Sequence, residues 1–468
     1  MIELQIELHE IGFKSTFLCT AVYISIMSDD SDPSLSGHSS RLLYINNTKT
    51  IRSVLHRMPT ITRPNMGQRN NISSQSSVQF EISNDEFIDL RTCALQFELV
   101  CSDAADRICN ALDIVDQLIV KYNEFECERI QDCATWANVF IAQNANSSWC
   151  KTEATALLGL NNQIVEAKEG SRTYAGTPSN IYSIPMSLIS GFFHMSNILP
   201  LLGNKLQVEI ITSDTVSVIS KPANRVTALS AGYKLNNIHL IYDTVQCDKD
   251  YKLMIRDAMH RVTPTPVQVV YYSYDARSQN AQNSNVQDLT IRHDLHNVSS
   301  LHMVKDNVAS KTYADGEHTL KRQSYPFTEF MSVRVKAGGA TYFTSPEEIR
   351  GFADLYRAAE LTHNYLGCVT GTGFISNSIM TQGYTKKDEV STAGAAYGLC
   401  PISINLDKNI ENDDATWNNG ISCSNGKENI DITIRTRSVL PITDVFRYNL
   451  VHKRRLEMGG NYGFAVYS

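Results

Sequence analysis

The chain has no C-x-x-C pair, no H-E-x-x-H, no G-x-S-x-G and no G-x-x-x-x-G-K loop. Without the first, and with no Cys–His cluster at zinc-finger spacing, nothing nominates a metal site. Without the others there is no zinc-protease helix, no serine-hydrolase elbow and no phosphate cradle. Long apolar runs are scarce too. The stretch Phe17 to Met27 is too short to span a bilayer, and it makes a poor signal peptide. The segment before it is long and acidic (Glu3, Glu7, Glu10), and no small-residue cleavage site follows. A basic tail is also missing. With a net charge of −7 and a pI near 6.0, a dedicated nucleic-acid binder is disfavoured. The nearest thing to a basic run, Lys453-Arg454-Arg455, reads as a solvated loop or strand end.

What is present suits a β-rich chain with real cores. Hydrophobic residues make up 42% and charged ones 19%, and 21 Tyr and 16 Phe stand against 3 Trp. At 468 residues the chain divides naturally into two domains of roughly 150–230 residues each. The 11 cysteines are odd in number and scattered, so they read as small buried hydrophobes in a reducing compartment. The sequons at Asn46, Asn71, Asn146 and Asn297 carry no weight in an Asn- and Ser-rich chain.

Residues 1–74 are expected to be an N-terminal arm. Met27 opens the polar run Met-Ser-Asp-Asp-Ser-Asp-Pro-Ser, so residues 1–26 are either part of that arm or an over-extended start. Order is expected to begin with the alternation Val78-Gln79-Phe80-Glu81-Ile82. Leu95 to Leu99 follows as a second strand after a turn at Ile88-Asp89-Leu90. Leu118 to Tyr122 is a further strand, and Glu128 to Phe140 reads as a helix with Ile130, Cys133, Ala137 and Phe140 on one face. Leu199 to Ile211 closes this half. A first β-sandwich over 75–222, a linker over 223–232 and a second sandwich over 233–468 are the resulting division.

The second half repeats the plan. Its strands are Leu235 to Tyr242, Val267 to Tyr271, Asp288 to Arg292, Ser332 to Lys336, Ile402 to Leu406, Ile430 to Arg435 and Gly463 to Tyr467. Ser345-Pro346-Glu347-Glu348 forms a capping box ahead of a helix placed at 346–366.

The order of these segments resembles the double jelly-roll major capsid proteins of virophages, Polinton-like elements and adintoviruses, and more remotely adenovirus hexon and tailless lipid-containing phages. The resemblance rests on Phe80 to Leu99, on Leu118 to Tyr122 with Glu128 to Asp132 and Trp136 to Asn138, on Pro185 to Ile211, and on Tyr233 to Tyr251. It covers roughly 75–468, and residues 1–74 match nothing in it. It implies a mainly β fold of two tandem antiparallel jelly-roll sandwiches, each with an accessory helix. It also implies a homotrimer forming pseudo-hexameric capsomers of an icosahedral shell. Its partners would be neighbouring capsomers and penton and minor capsid proteins, with an inner membrane left open and no sequence-specific nucleic-acid binding. Its place would be the virion capsid, assembled inside the host cell. The absence of very long inserted loops speaks against hexon-like towers.

Candidate chemistry is thin, and no catalytic, cofactor-binding or metal-ligating residue is nominated. Gly338-Gly339 and Gly371-Thr372-Gly373 read as turns or bulges. His293 and His296 flank Asp294, and Glu411 lies near Asp413-Asp414. Both groups read as solvated turns, ahead of a metal or calcium site. Tyr271-Tyr272-Ser273-Tyr274 lacks interleaved basic residues and reads as a strand packing a core. The competing class is a secreted or virion-surface β-sandwich binding protein, lectin-like or receptor-binding. An enzyme ranks third, since no carboxylate pair in a cleft stands out.

Overall fold

The computed structural model describes residues 54–65, 70–101, 107–108, 110–144, 149, 153–158, 181–195, 197–220, 232–260, 267–307, 329–337, 340–342, 348–350, 354–355, 358, 362, 401–406, 420–421, 429–459 and 464–467. Alternating apolar and polar residues build most of its strands. Val78, Phe80 and Ile82 point into a core while Ser77, Gln79 and Glu81 do not, the half-buried pattern a two-layer sandwich requires.

Among the described residues, eight principal strands, with short two-residue strands besides, make a first roll: β1 (Val54–Thr62), β2 (Ser77–Ser83), β3 (Phe87–Cys101), β4 (Val115–Tyr122), β5 (Phe125–Ile130), β6 (Ile181–Pro185), β7 (Lys205–Thr212) and β8 (Tyr233–Cys247). Eight more make a second: β9 (Val267–Asn280), β10 (Val286–Ile291), β11 (Val298–Asn307), β12 (Phe330–Ala337), β13 (Ala340–Tyr342), β14 (Ile402–Asn405), β15 (Ile430–Thr436) and β16 (Asp444–Met458). The sheets of the first roll run β1-β8-β3-β6 and β2-β7-β4-β5. Those of the second run β9-β16-β11-β14 and β10-β15-β12-β13, the same orders displaced by eight strands. Every pairing is antiparallel, and each roll is a double-sheet jelly roll. A helix, α1 (Cys133–Asn144), follows β5 in the first roll. In the second roll the helical residues Asp354, Leu355, Ala358 and Thr362 occupy the matching connection, and the Thr362 hydroxyl donates to the Ala358 carbonyl.

Strand pairing corrects several sequence expectations. The arm expected over 1–74 is too long: β1 pairs along β8, and Ile72 is buried and bridges Leu235. The second roll does not start at Tyr233. That strand lies between β1 and β3 and closes the first roll, and helix α3 (Lys249–His260) leads to β9. Apart from Gly232, the linker expected over 223–232 lies outside the described residues. Ile88-Asp89-Leu90 is no turn, because β3 runs unbroken through it and absorbs the irregularity as register shifts against β8. Glu128 sits on strand β5, and the helix begins only at Cys133. The helix placed at 346–366 does not begin there, since Ile349–Arg350 pairs with Val333 and Ser332 of β12. The capping residues Ser345, Pro346 and Glu347 lie outside the described residues.

Edge strand β1 is pinned by charge. Arg57 reaches Asp89 of β3 at 2.7 Å and Asp243 of β8 at 2.8 Å, and Asp89 is buried. Arg57→Met removes the guanidinium from both the buried Asp89 and Asp243 and is expected to cost about 2 kcal/mol. Faster amide exchange confined to β1 and β8 is the accompanying result. Unchanged protection of both strands would refute this role for Arg57.

Candidate functional site: the seam between the rolls

No cleft chemistry dominates the described residues, and no group of three or more His, Cys, Asp or Glu among them is placed to hold a metal. The most elaborate constellation is the seam where the two rolls meet. Helix α1 is apolar on both sides. Cys133, Ala137 and Ile141 join the first roll's core, whereas Trp136, Val139 and Phe140 lie on Ala276, Val304 and Val451 of the second. Phe140 stacks at 5.3 Å from Tyr274 and meets His302 edge-on at 5.0 Å.

The ribbon β9–β16 stitches the two cores. Phe446, Tyr448 and Leu450 belong to the second core. Farther along the same face Leu456 and Met458, with Val269 and Val267 opposite them, belong to the first, as does Tyr271, opposite Arg454. Strand β17 (Phe464–Tyr467) then pairs back on β16 and sets Phe464 against Tyr122 and Phe125 of the first roll. The backbones approach closely at α2 (Gly191–His194): a Cβ on Gly191 would fall 1.9 Å from the Tyr272 carbonyl oxygen.

Between the two apolar ends of the ribbon lies a buried polar belt. Glu128 accepts from the Ser190 hydroxyl and, at 3.3 Å, from the Phe192 N–H. Tyr271 and Arg454 both donate to the Cys127 carbonyl. Burial pushes the Glu128 carboxyl up to about 7, against the pull of Ser190, Phe192, Arg454 and Ser273. Burial pushes His452 down to about 3, reinforced by Arg454 and opposed by Asp275. For Asp275, burial works upward but is outweighed by His293, 2.9 Å away, and by Arg277, so its carboxyl sits below the usual range. Arg447 closes the seam on another side, bridging Asp132 of the first roll at 2.6 Å and Asp306 of the second at 2.9 Å.

Several sequence candidates change meaning here. His293 is not in a solvated loop: it is buried against Asp275, while Asp294 and His296 are exposed and do not converge with it. Lys453-Arg454-Arg455 is no solvated end either. Lys453 is buried, and its amine lies 5.4 Å from the Tyr272 ring centre. Tyr271 to Tyr274 packs as a strand with alternating burial. Gly371 to Gly373, Gly338-Gly339 and the Glu411 to Asp414 group lie outside the described residues. Of the cysteines, Cys93, Cys127, Cys133 and Cys247 are free and buried. Sequence reasoning missed Glu128, Ser190, Asp275 and His452 as a group. Cys127 and Glu128 are neighbours and both buried at an irregularity in β5, so strict alternation from Cys127 would have turned Glu128 outward and hidden it.

No protein-family model matches the sequence, and no curated protein matches it. Solved structures do. The Faustovirus major capsid protein is similar with a TM-score of 0.56 at 11% identity, covering 90% of this chain and 93% of that one. A quasi-atomic model of the PBCV-1 virus capsid gives 0.55 at 10% identity, covering 90% of this chain and 99% of that chain. The mavirus major capsid protein gives 0.50 at 8% identity, covering 99% and 96%. The fold is therefore the double jelly roll seen in these structures: a mainly β chain of two tandem antiparallel rolls, each with its helix.

Proposed function

We propose that this chain is a major capsid protein that works by shape and self-association, without catalysis. The observation that carries this reading is the seam. One roll's helix is buried in the next roll's sheet, and a shared ribbon ties two cores into one block, the property a shell tile needs. Three such blocks would form a trimer with a pseudo-sixfold outline, through heterologous contacts from the side of one chain to the next. Those contacts are expected to bury more than ~2,000 Å². Trimers would tile with neighbouring capsomers, and with penton and minor capsid proteins, into the virion shell.

Expression of the full chain, followed by mass measurement and negative-stain microscopy, tests this. The expected particle has three times the 52.3 kDa chain mass and a hexagonal outline, and goes on to assemble into shells. A stable monomer that binds a glycan would overturn the proposal in favour of a lectin-like module.

A further inference from the structure

At one end of the second roll, three charged side chains meet inside the sandwich. Lys305 continues the inward face of β11 after Leu301 and Met303, and Asp444 opens the inward face of β16 ahead of Phe446, Tyr448 and Leu450. Strand register sets Lys305 opposite Phe446 and Asn307 opposite Asp444, so Lys305 and Asp444 are diagonal neighbours across the pair. The Lys305 amine lies 3.0 Å from Asp444 Oδ2, and both side chains are buried. Glu329 comes from the opposite sheet, immediately before β12, and its Oε2 is 3.5 Å from the same amine. Its side chain is 31% exposed, which leaves a route from the buried pair to solvent. Backbone bonds hold the three in place: the Asp444 N–H donates to the Pro441 carbonyl, the Ala281 N–H to the Asp444 carbonyl, and the Arg437 N–H to the Glu329 carbonyl.

As a buried ion pair this arrangement is incomplete. Two charges taken out of water are stable together only where their remaining acceptors and donors are also met. Asp444 Oδ1 is buried and receives no hydrogen bond. An amine nucleophile, a carboxyl carbon and a second carboxylate to carry protons are, however, the three parts that amide formation needs. We infer that Lys305 and Asp444 condense into an intramolecular isopeptide bond, with Glu329 as the proton carrier. The ammonium first passes one proton to the Asp444 carboxylate, which leaves a neutral amine beside a neutral acid. Nζ then attacks Asp444 Cγ, and Glu329 takes a second proton from the nitrogen. Glu329 returns that proton to the hydroxyl on Cγ, the carbon–oxygen bond breaks, and one water departs. The ammonium and carboxylate thus become one amide and one water, with no oxidant, metal or activated donor required. Both buried charges disappear in the product, and the charge that remains is on the partly exposed Glu329. The bond joins residues 139 apart in sequence, so it restricts the unfolded chain as a long-loop disulfide does. Unlike a disulfide, it is indifferent to a reducing compartment.

Intact mass spectrometry of the purified full chain, denatured and reduced, tests this. The wild-type mass is expected to fall short of the sequence mass by one water in essentially every molecule. Trypsin should leave Lys305 uncut and release a branched peptide that carries Asp444 on the Lys305 amine. Glu329→Gln keeps the side chain's size but accepts no proton, so it should fold and retain the full sequence mass. A folded wild-type chain of full sequence mass, with linear peptides at both residues, overturns the bond. A missing water that maps anywhere else in the chain does the same. Equal linkage in Glu329→Gln overturns the part given to Glu329. The wild-type mass decides the bond by itself, so a variant that fails to fold does not blur the answer, and neither does the oligomeric state.

Discussion

Replacing Gly191 by alanine is expected to break the seam, and by valine to leave little soluble protein. The added Cβ would lie 1.9 Å from the Tyr272 oxygen and 2.6 Å from its carbonyl carbon, where real contacts stay above 3.0 Å. The obstacle is backbone in mid-strand, with Tyr272 paired to Lys453, so no side-chain rotation relieves it. Either β9 or α2 must move by more than 1 Å. That movement disrupts the edge-on contact of Phe192 with Tyr271 at 5.0 Å and the Ser190 hydroxyl bond to Glu128. Overpacking with backbone displacement costs about 3 kcal/mol even for alanine. Gly203→Ala is the control. Gly203 has φ +94° but nothing within 4 Å of a new Cβ, so only backbone strain of about 1 kcal/mol is at stake. Denaturant unfolding of both variants separates the two causes. Equal losses would mean that the close approach of the rolls is not what Gly191 serves.

Why Gly191 matters was invisible in the sequence, and the reason is general to this fold. Strands whose side chains alternate, such as Val78 to Ile82 and Ile430 to Arg435, announce themselves because one face meets a core and the other does not. Strand β16 does not alternate, because Asn449, Leu450, Val451 and His452 are all buried, Leu450 in the second core and Val451 under α1 of the first roll, so its length and its basic residues misled. The roll boundary was misplaced for a related reason. Whether Tyr233 to Cys247 opens one roll or closes another depends on its partners, Phe87 to Cys101 on one side and Val54 to Thr62 on the other, far away in sequence. Local pattern reports that a strand exists, not which sheet receives it. The helix placed from Glu128 failed because Cys127, Glu128 and Ile130 are inward on a strand, while Cys133, Ala137 and Ile141 fit a helical period directly afterwards. The polar belt was the hardest part to see, since Glu128, Ser190, Asp275 and His452 come from four separate segments, and no spacing rule links them.

That belt gives the protein a stability profile with an unusual shape. Glu128 has its folded pKa raised from 4.5 to about 7 by burial, so the folded state holds this proton more tightly than the unfolded chain. Its contribution is fully present below pH 4.5 and is lost as the pH rises through 7, a swing of about 3 kcal/mol. His452 has its folded pKa lowered from 6.5 to about 3, so its contribution is present above pH 6.5 and is lost as the pH falls toward 3, a swing of about 5 kcal/mol. The groups facing this pair are Arg454 on its own strand, Asp275 and Ser273 on β9, His293 beyond β10, and Ser190 with the Phe192 N–H from the first roll. Acidification from pH 8 to 6.5 should therefore stabilise the seam through Glu128 alone. From 6.5 to 4.5 the two slopes oppose and nearly cancel, and below 4.5 the His452 loss remains, joined by that of Asp275, whose lowered carboxyl is also protonated on acidification. Melting temperature measured from pH 8 to pH 4 is expected to rise, level off and then fall. Glu128→Gln keeps an acceptor for Ser190 and Phe192 but cannot ionise. It should flatten the alkaline limb and raise stability at pH 8, while leaving the acid limb in place. His452→Leu should make the acid limb shallower, leaving the part due to Asp275, and should leave the alkaline limb in place. An alkaline limb that persists unchanged in Glu128→Gln would show that the buried carboxyl at the seam does not govern how the two rolls respond to pH.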